Sequence, residues 1–295
     1  KKMKYKIFKK KKIIITGHTG FKGSWLLAWL SHLEAVILGI SKDILKTDSN
    51  FKTLNNMNFT HKILNINDFK NLKKTIINFK PDFVFHLAAQ AIVYKSLNDP
   101  MDTWKTNVMG TMNILESLKY LKKKCSVVLI TSDKCYENLE IKKGYSETDR
   151  LGGSDPYSSS KASAEILIKS YYRSFFKNNK FIRLATARAG NVIGGGDWSP
   201  NRIIPDCVKA WADGQTVQLR NPHATRPWQH VLEPLGGYLR LAAELRHRQE
   251  LHGEPFNFGP LTHQNHTVLE LVEEMSLHWP EVSFEDESGS KTGPY

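Results

Sequence analysis

The chain has 295 residues, 40% of them apolar, enough to bury a full core in one large domain or two closely joined ones. No run approaches the roughly 18 uninterrupted apolar residues of a membrane span, and the Lys-rich start lacks a secretory apolar segment, so a cytoplasmic protein with no membrane partner is expected. The net charge of +13 is uneven, +17 over residues 1–180 and −4 over 181–295, which excludes little but reads as a Lys-rich surface with a basic flank at 1–12, not as a nucleic-acid site.

Cys125, Cys135 and Cys207 have no paired spacing, so neither a disulfide framework nor a metal site is expected. In chain order, apolar runs at 13–16, 35–40, 83–87, 127–131 and 181–187 predict strands. Amphipathic stretches at about 24–33, 68–78, 102–122 and 157–176 predict the helices between them. The alternation predicts an α/β fold, a doubly wound parallel sheet of the Rossmann kind over 13–190. Beyond 190 come a triple glycine at 194–196, scattered prolines, a helical pattern at 231–245 and a strand-like run at 255–258. These predict a smaller mixed substrate-binding lobe over 191–295. Lysine usage falls sharply near residue 180, and composition alone leaves open whether this marks a domain boundary or a splice of two sources.

Two constellations carry chemistry. Gly17, Gly20 and Gly23 follow the first strand directly and open a helix, the spacing that lets a turn approach a pyrophosphate lying on the helix N-terminus. His18, Phe21 and Lys22 lie in the same turn, and Lys22 adds positive charge. Asp43, about 20 residues on, suits the adenosine ribose hydroxyls or is plain loop polarity; Lys42 beside it would instead suit a 2′-phosphate, so NAD is favoured over NADP. Asp68 stands either near the adenine or as a helix cap. In the second constellation, Asp155-Pro156 has the form of a capped helix start and puts Tyr157 and Lys161 one turn apart. A Lys ammonium with a positive nicotinamide ring would lower the phenol from its unperturbed value of about 10 toward neutrality and make it a general base.

With these, the segments Thr16–Leu26, His86–Gln90, Thr131–Asn138, Asp155–Ser158, Ala187–Trp198 and Thr225–Val231 together resemble the extended short-chain dehydrogenase/reductase family and, within it, the nucleotide-sugar 4,6-dehydratases. The resemblance covers nearly the whole chain. It implies NAD as cofactor, with Leu87, Ala88, Ala89 and Asn107 as further contacts. It also implies a CDP-glucose substrate and a homodimer or higher homo-oligomer paired through the helices near 102–122 and 157–176. Tyr157 would take the C4 hydroxyl proton, with Ser132 and Lys161 holding the oxygen and the ribose. Asp133 and Lys134 would serve as acid and base for elimination across C5 and C6. Arg226 suits the nucleotide diphosphate, with Asn191 and Arg202 as helpers, and Gln90 and Ser96 would touch the sugar. Members generally continue for several tens of residues further, so the lobe is expected to be incomplete at its C-terminus. An NDP-sugar 4-epimerase would share the fold, cofactor and Tyr157 without losing water, and a dinucleotide-sensing protein would need only the glycine turn.

Overall fold

The computed structural model describes residues 4–44, 49–140, 144–261, 264–279 and 281–287. Residues 1–3 of the expected flank and 288–295 of the expected lobe lie outside them. Seven strands form the central sheet: β1 (Lys12–Thr16), β2 (Val36–Ser41), β3 (Thr60–Ile63), β4 (Phe83–His86), β5 (Cys125–Ile130), β6 (Ile182–Ala189) and β7 (Pro255–Phe258). Their order is β3-β2-β1-β4-β5-β6-β7, and every neighbouring pair is parallel. Continuous apolar strands such as Ile13-Ile14-Ile15 suit this arrangement because a parallel sheet is covered on both faces.

The period of two divides the core. Ile13, Ile15, Phe83 and Phe85 point to one face, under helices Phe21–His32 and Leu232–Glu244. Ile14, Leu38, Val84 and Val127 point to the other, under helices Phe69–Phe79, Gly110–Leu118 and Pro156–Tyr171.

Three features differ from the sequence expectations. Residues 4–8 form a 3₁₀ turn whose Phe8 is fully buried against Phe83, with ring centroids 4.8 Å apart, so that part of the expected basic flank belongs to the core. The expected boundary at 190 does not divide the sheet, because β7 pairs with β6 and helix Leu232–Glu244 covers one face. What remains of the lobe has a small core of its own around Cys207, Trp211, Leu219 and Val272. The expected helix over 102–122 is broken into Pro100–Trp104, a π turn at Lys105–Met109 and Gly110–Leu118, preceded by an unforeseen short helix, Val93–Asn98.

A buried polar chain ties the two central strands to the helix behind them. The Thr16 hydroxyl accepts the Ala88 N–H (3.2 Å) and lies 2.7 Å from His86 Nδ1, while His86 Nε2 lies 3.1 Å from Thr111 Oγ1. Thr111 donates its proton to the Asn107 carbonyl, so its oxygen can only accept. This network assigns His86 the neutral Nε2–H tautomer. Burial first, and the Lys161 charge second, push its imidazole down to about 3.

Two predictions follow from this packing. Phe8→Ala should destabilise the fold by about 3–5 kcal/mol in urea unfolding, as for other buried aromatics; a loss under about 1 kcal/mol would show residues 4–8 to be peripheral. For His86, the folded value of about 3 lies below the unfolded 6.5. Between these limits the unfolded chain holds a proton that the folded chain refuses, so stability is lost as the pH falls from 6.5 toward 3, by up to roughly 4 kcal/mol from this residue. In His86→Asn, which should be less stable at pH 7, the decline of the urea midpoint over that window should be shallower.

Candidate active site

The turn after β1 is built of backbone. Gly17 has φ +73°, and a methyl group on it would stand 2.7 Å from the Ala88 nitrogen; one on Gly23 would stand 2.1 Å from the Gly17 carbonyl oxygen. These two glycines are required by the fold itself. Gly20 is different: it has an ordinary φ of −76°, and a methyl group there would meet only the Gly17 oxygen at 3.4 Å. It is the N-cap of helix Phe21–His32 and offers no side-chain cap, which leaves the first-turn amides facing outward as a cradle for an anion. Leu87, Ala88 and Ala89 form the opposite wall. Leu87 N–H donates to the Thr16 carbonyl at 3.1 Å, and all three residues are half-buried.

The polar residues expected around this cradle divide into two groups. Asp43 is exposed just beyond β2, and its carbonyl accepts from Thr19 Oγ1 at 3.1 Å, which ties the loop carrying its carboxylate to the glycine turn. His18, by contrast, turns inward. Its ring lies 2.6 Å from His61 Nδ1 and 3.0 Å from Ser41 Oγ, and burial first, then His61, push it down to about 4. Its side chain thus supports the turn from beneath. Asp68 caps helix Phe69–Phe79, accepting from Asn71 N (3.2 Å) and Asn71 Nδ2 (2.7 Å), so its two oxygens serve the alternative expected of it, the helix cap. Phe21 packs towards Gly194. Lys22 is half-buried and pushed down to about 8 by burial first and Arg202 second, against the pull of Asp133 and Asp197.

Asn107, Gln90 and Ser96 are likewise supports. Asn107 Nδ2 donates to the Gln90 carbonyl (3.0 Å) and to Ser160 Oγ (2.9 Å), and its Oδ1 accepts the Gln90 N–H (2.8 Å). The Gln90 amide is held by Ile92 and Thr103, and Ser96 Oγ accepts the Tyr157 N–H while donating to the Val93 carbonyl. With side-chain polar atoms paired inside the chain, these three fix the wall and the catalytic helix.

The catalytic candidates converge at the carboxyl end of β5. Asp155 caps helix Pro156–Tyr171, accepting from Tyr157 N (2.9 Å) and Ser158 N (3.0 Å), which sets Tyr157 and Lys161 on the buried side. Ser132 Oγ donates to Asp133 Oδ1 (3.0 Å), accepts from Lys134 N (3.2 Å), and lies near enough to the Tyr157 phenol to favour its charged form. Burial pushes the Asp133 carboxyl up, against the Ser132 bond and the charges of Lys134 and Lys22. Burial likewise pushes Lys161 down to about 8, with Lys22 adding to it. The Asp133 carboxylate stands where a methyl group on Gly190 would meet it at 3.1 Å, and Pro227 closes the same corner.

The Tyr157 phenol is pushed up to about 12, because burial and the nearby Asp133 charge outweigh the Ser132 hydroxyl. Lys134 is exposed on the same turn as Asp133.

Among the substrate candidates, Arg202 stands at the start of helix Ile203–Ala212, paired with Asp197 at 2.5 Å, and its charge acts on both Lys22 and Tyr157. Asn191 is half-buried, and its carbonyl accepts the Gln229 N–H at 3.1 Å. Arg226 lies on the short strand Thr225–Arg226, beside the Pro227 that meets Gly190.

Several residues of the site were not foreseen. Glu165 and Arg188 form an ion pair at 2.9 Å with both side chains only 4% exposed. Tyr136 and Asn257 extend it through hydrogen bonds of 2.8 and 2.6 Å. The fully buried Tyr238 hydroxyl has no hydrogen-bond partner among the described residues, and burial, then the charges of Asp133 and Tyr157, push it up. Glu165 had a sequence signal, a carboxylate one turn after Lys161 on the same buried helix face.

The family model described as GDP-mannose 4,6 dehydratase matches residues 14–291. A CDP-glucose 4,6-dehydratase of Salmonella typhimurium is 45% identical over 275 residues, spanning 91% of this chain and 76% of that protein. A CDP-paratose 2-epimerase of Salmonella typhi is 26% identical over 285 residues, spanning 88% and 82%. Among solved structures, DesIV of Streptomyces venezuelae, a dTDP-glucose 4,6-dehydratase with NAD and TYD bound, aligns with a TM-score of 0.78 at 22% identity over 93% of this chain and 84% of that one. The match over nearly the whole chain settles its kinship: the chain belongs to the GDP-mannose 4,6 dehydratase family, within the extended short-chain dehydrogenase/reductases.

Proposed function

We propose that the protein is an NAD-dependent 4,6-dehydratase that converts CDP-glucose to the 4-keto-6-deoxy sugar nucleotide with release of one water. The observation that carries this reading is the placement of Asp133 and Lys134 beside Tyr157 and Ser132 at one strand end, since a 4-epimerase needs the tyrosine but no acid for a leaving hydroxyl. CDP as the nucleotide follows the relative that is 45% identical over 91% of the chain.

The glycine cradle fits a dinucleotide, because its rim is bare backbone and helix N-terminus where a side chain would fill the space. NAD held by the Gly17–Gly23 turn would supply a hydride acceptor for C4 and a hydride donor for C6. Tyr157 takes the O4 proton as C4 becomes a ketone, with Ser132 steadying the oxygen and Lys161 adding positive charge. The ketone makes the C5 proton removable. Lys134 takes that proton while Asp133, whose raised carboxyl keeps a proton more readily than a surface aspartate, protonates the departing C6 hydroxyl. Hydride at C6 and a proton at C5 complete a sequence with no net oxidation. Arg202 and Arg226 supply positive charge for the diphosphate.

The cysteines are free and buried, as a reducing cytoplasm would keep them. No helix among the described residues is long and apolar enough to cross a membrane. A homodimer would cover Met101, Trp104, Met109, Ile166 and Phe175, which stand exposed on the helices of 100–118 and 156–176.

Three tests bear on this function. Gly20→Val has room in the fold but projects into the cradle, so it should weaken NAD binding at least about 100-fold, or roughly 2.7 kcal/mol, with an unchanged circular dichroism spectrum. Unaltered NAD affinity would remove the cradle from the proposal. With NAD and CDP-, dTDP-, UDP- and GDP-glucose supplied separately, mass spectrometry should find loss of water from CDP-glucose. In Lys134→Met, deuterium uptake at C5 should fall about 10²–10⁴-fold while C4 oxidation persists. Isomerisation of a nucleotide sugar without loss of mass would favour an epimerase.

A further inference from the structure

We propose that Glu165 and Arg188, acting through Tyr136, are positioning residues that clamp both ends of the loop bearing Asp133 and Lys134, and so serve the elimination of water rather than the oxidation at C4. The inference rests on the roles given above to Asp133 and Lys134.

The loop runs from Thr131 to Tyr136. At its start, the Thr131 hydroxyl donates to Glu165 Oε1. The other oxygen of that carboxylate accepts from Thr186 Oγ1 (3.0 Å) and Arg188 NH2 (2.9 Å), so one side chain joins helix Pro156–Tyr171 to β6 and to the loop. At the loop's end, Arg188 NH1 donates to the Tyr136 hydroxyl (2.8 Å), and the guanidinium lies 5.0 Å from the centre of that ring. Tyr136 passes its own proton to Asn257 Oδ1 on β7 at 2.6 Å. Asn257 is held in turn, its amide donating to the Tyr145 carbonyl (3.0 Å) and its backbone N–H to Glu147 Oε1 (2.8 Å).

Between these anchors the loop is a single short 3₁₀ turn, Asp133–Cys135, closed by Cys135 N–H to the Ser132 carbonyl at 3.2 Å. Tyr157 has separate anchors, the Asp155 cap and Ser96. The Cys135 carbonyl also accepts the Gly152 N–H at 2.9 Å and Tyr136 bridges Leu151, so the backbone stays tied, while loss of the Tyr136 hydroxyl loosens the side-chain hold on the turn bearing Asp133 and Lys134 and leaves Tyr157 in place. A buried ion pair is weak as a source of stability, because desolvation offsets most of the attraction. Its effect here is directional: a carboxylate and a guanidinium fix bonds from several elements at set angles.

Tyr136→Phe removes one hydroxyl and keeps the ring stacked on Tyr145, whose centroid is 5.3 Å away at an interplanar angle of 11°. The experiment compares the parent, Tyr136→Phe, Asp133→Asn and the double variant. Single-turnover NADH absorbance with CDP-glucose reports oxidation, and water loss by mass reports elimination. In Tyr136→Phe, elimination should slow about 10–100-fold, as for a displacement of about 1 Å, so that NADH accumulates, while its rate of formation stays within about threefold. The double variant should be no more than about threefold slower than Asp133→Asn, because both changes act on one step. Equal slowing of both steps, or of neither, while Asp133→Asn blocks elimination, would overturn the clamp alone. Normal elimination in Asp133→Asn would overturn the assignment of the acid and the clamp with it. Arg188→Lys, which keeps the charge but loses the fork, should reproduce the split; should it fail to fold, Tyr136→Phe decides.

Discussion

The close approach of Gly17 to Ala88 is the constraint on which the site depends. β1 and β4 are neighbours in the sheet, yet the chain leaves them for opposite faces, β1 into helix Phe21–His32 and β4 toward the helices of 93–118. Where connections diverge in this way a crevice opens at the carboxyl ends of the strands. Here its floor is so narrow that a methyl group on Gly17 would meet the Ala88 nitrogen at 2.7 Å. The floor is therefore backbone, and every reactive side chain must come from elsewhere. They come from the end of β5 and from the helix that Asp155 caps.

Desolvation then sets the chemistry of those side chains. Lys161 and Lys22 are both driven down to about 8, and Asp133 is driven up, so each moves toward its neutral form. Groups that exchange protons near neutral pH are what acid–base catalysis requires. Tyr157 is the exception, since its burial pushes it away from the basic form, to about 12. Positive charge near its oxygen would oppose this, which gives a physical reason for a tyrosine of this kind to work beside a cationic nicotinamide.

The parts legible in the sequence are those written in local patterns. Strand runs, the glycine turn, the Asp155-Pro156 start and the four-residue spacing of Tyr157 and Lys161 each occupy a short window. What the sequence hid is long-range. Tyr136 meets Asn257 from 121 residues away and Arg188 from 52, and β7 completes a sheet whose other strands all precede residue 190. The supporting bonds are hidden in the same way: a polar residue beside a site looks the same in sequence whether or not the chain engages it. Asn107, Gln90 and Ser96 are engaged by partners 17, 13 and 61 residues away, and that paired state distinguishes a residue that holds the wall.

That distinction bears on how the site tolerates change. Its reacting side chains are few, but each is fixed by an inner layer of fully engaged polar groups: Ser96 and Asp155 under Tyr157, Asn107 through Ser160 on the Lys161 helix, Glu165 under Thr131. A substitution in this layer leaves a buried donor or acceptor without a partner, which costs about 1–3 kcal/mol, and shifts whatever it held. Since several supports meet on helix Pro156–Tyr171, their losses cannot be independent, and changes made to two of them together need not add. The helix that carries the base is thus also the element on which the cofactor wall and β6 meet, whereas the acid loop keeps a second anchor of its own at Tyr136.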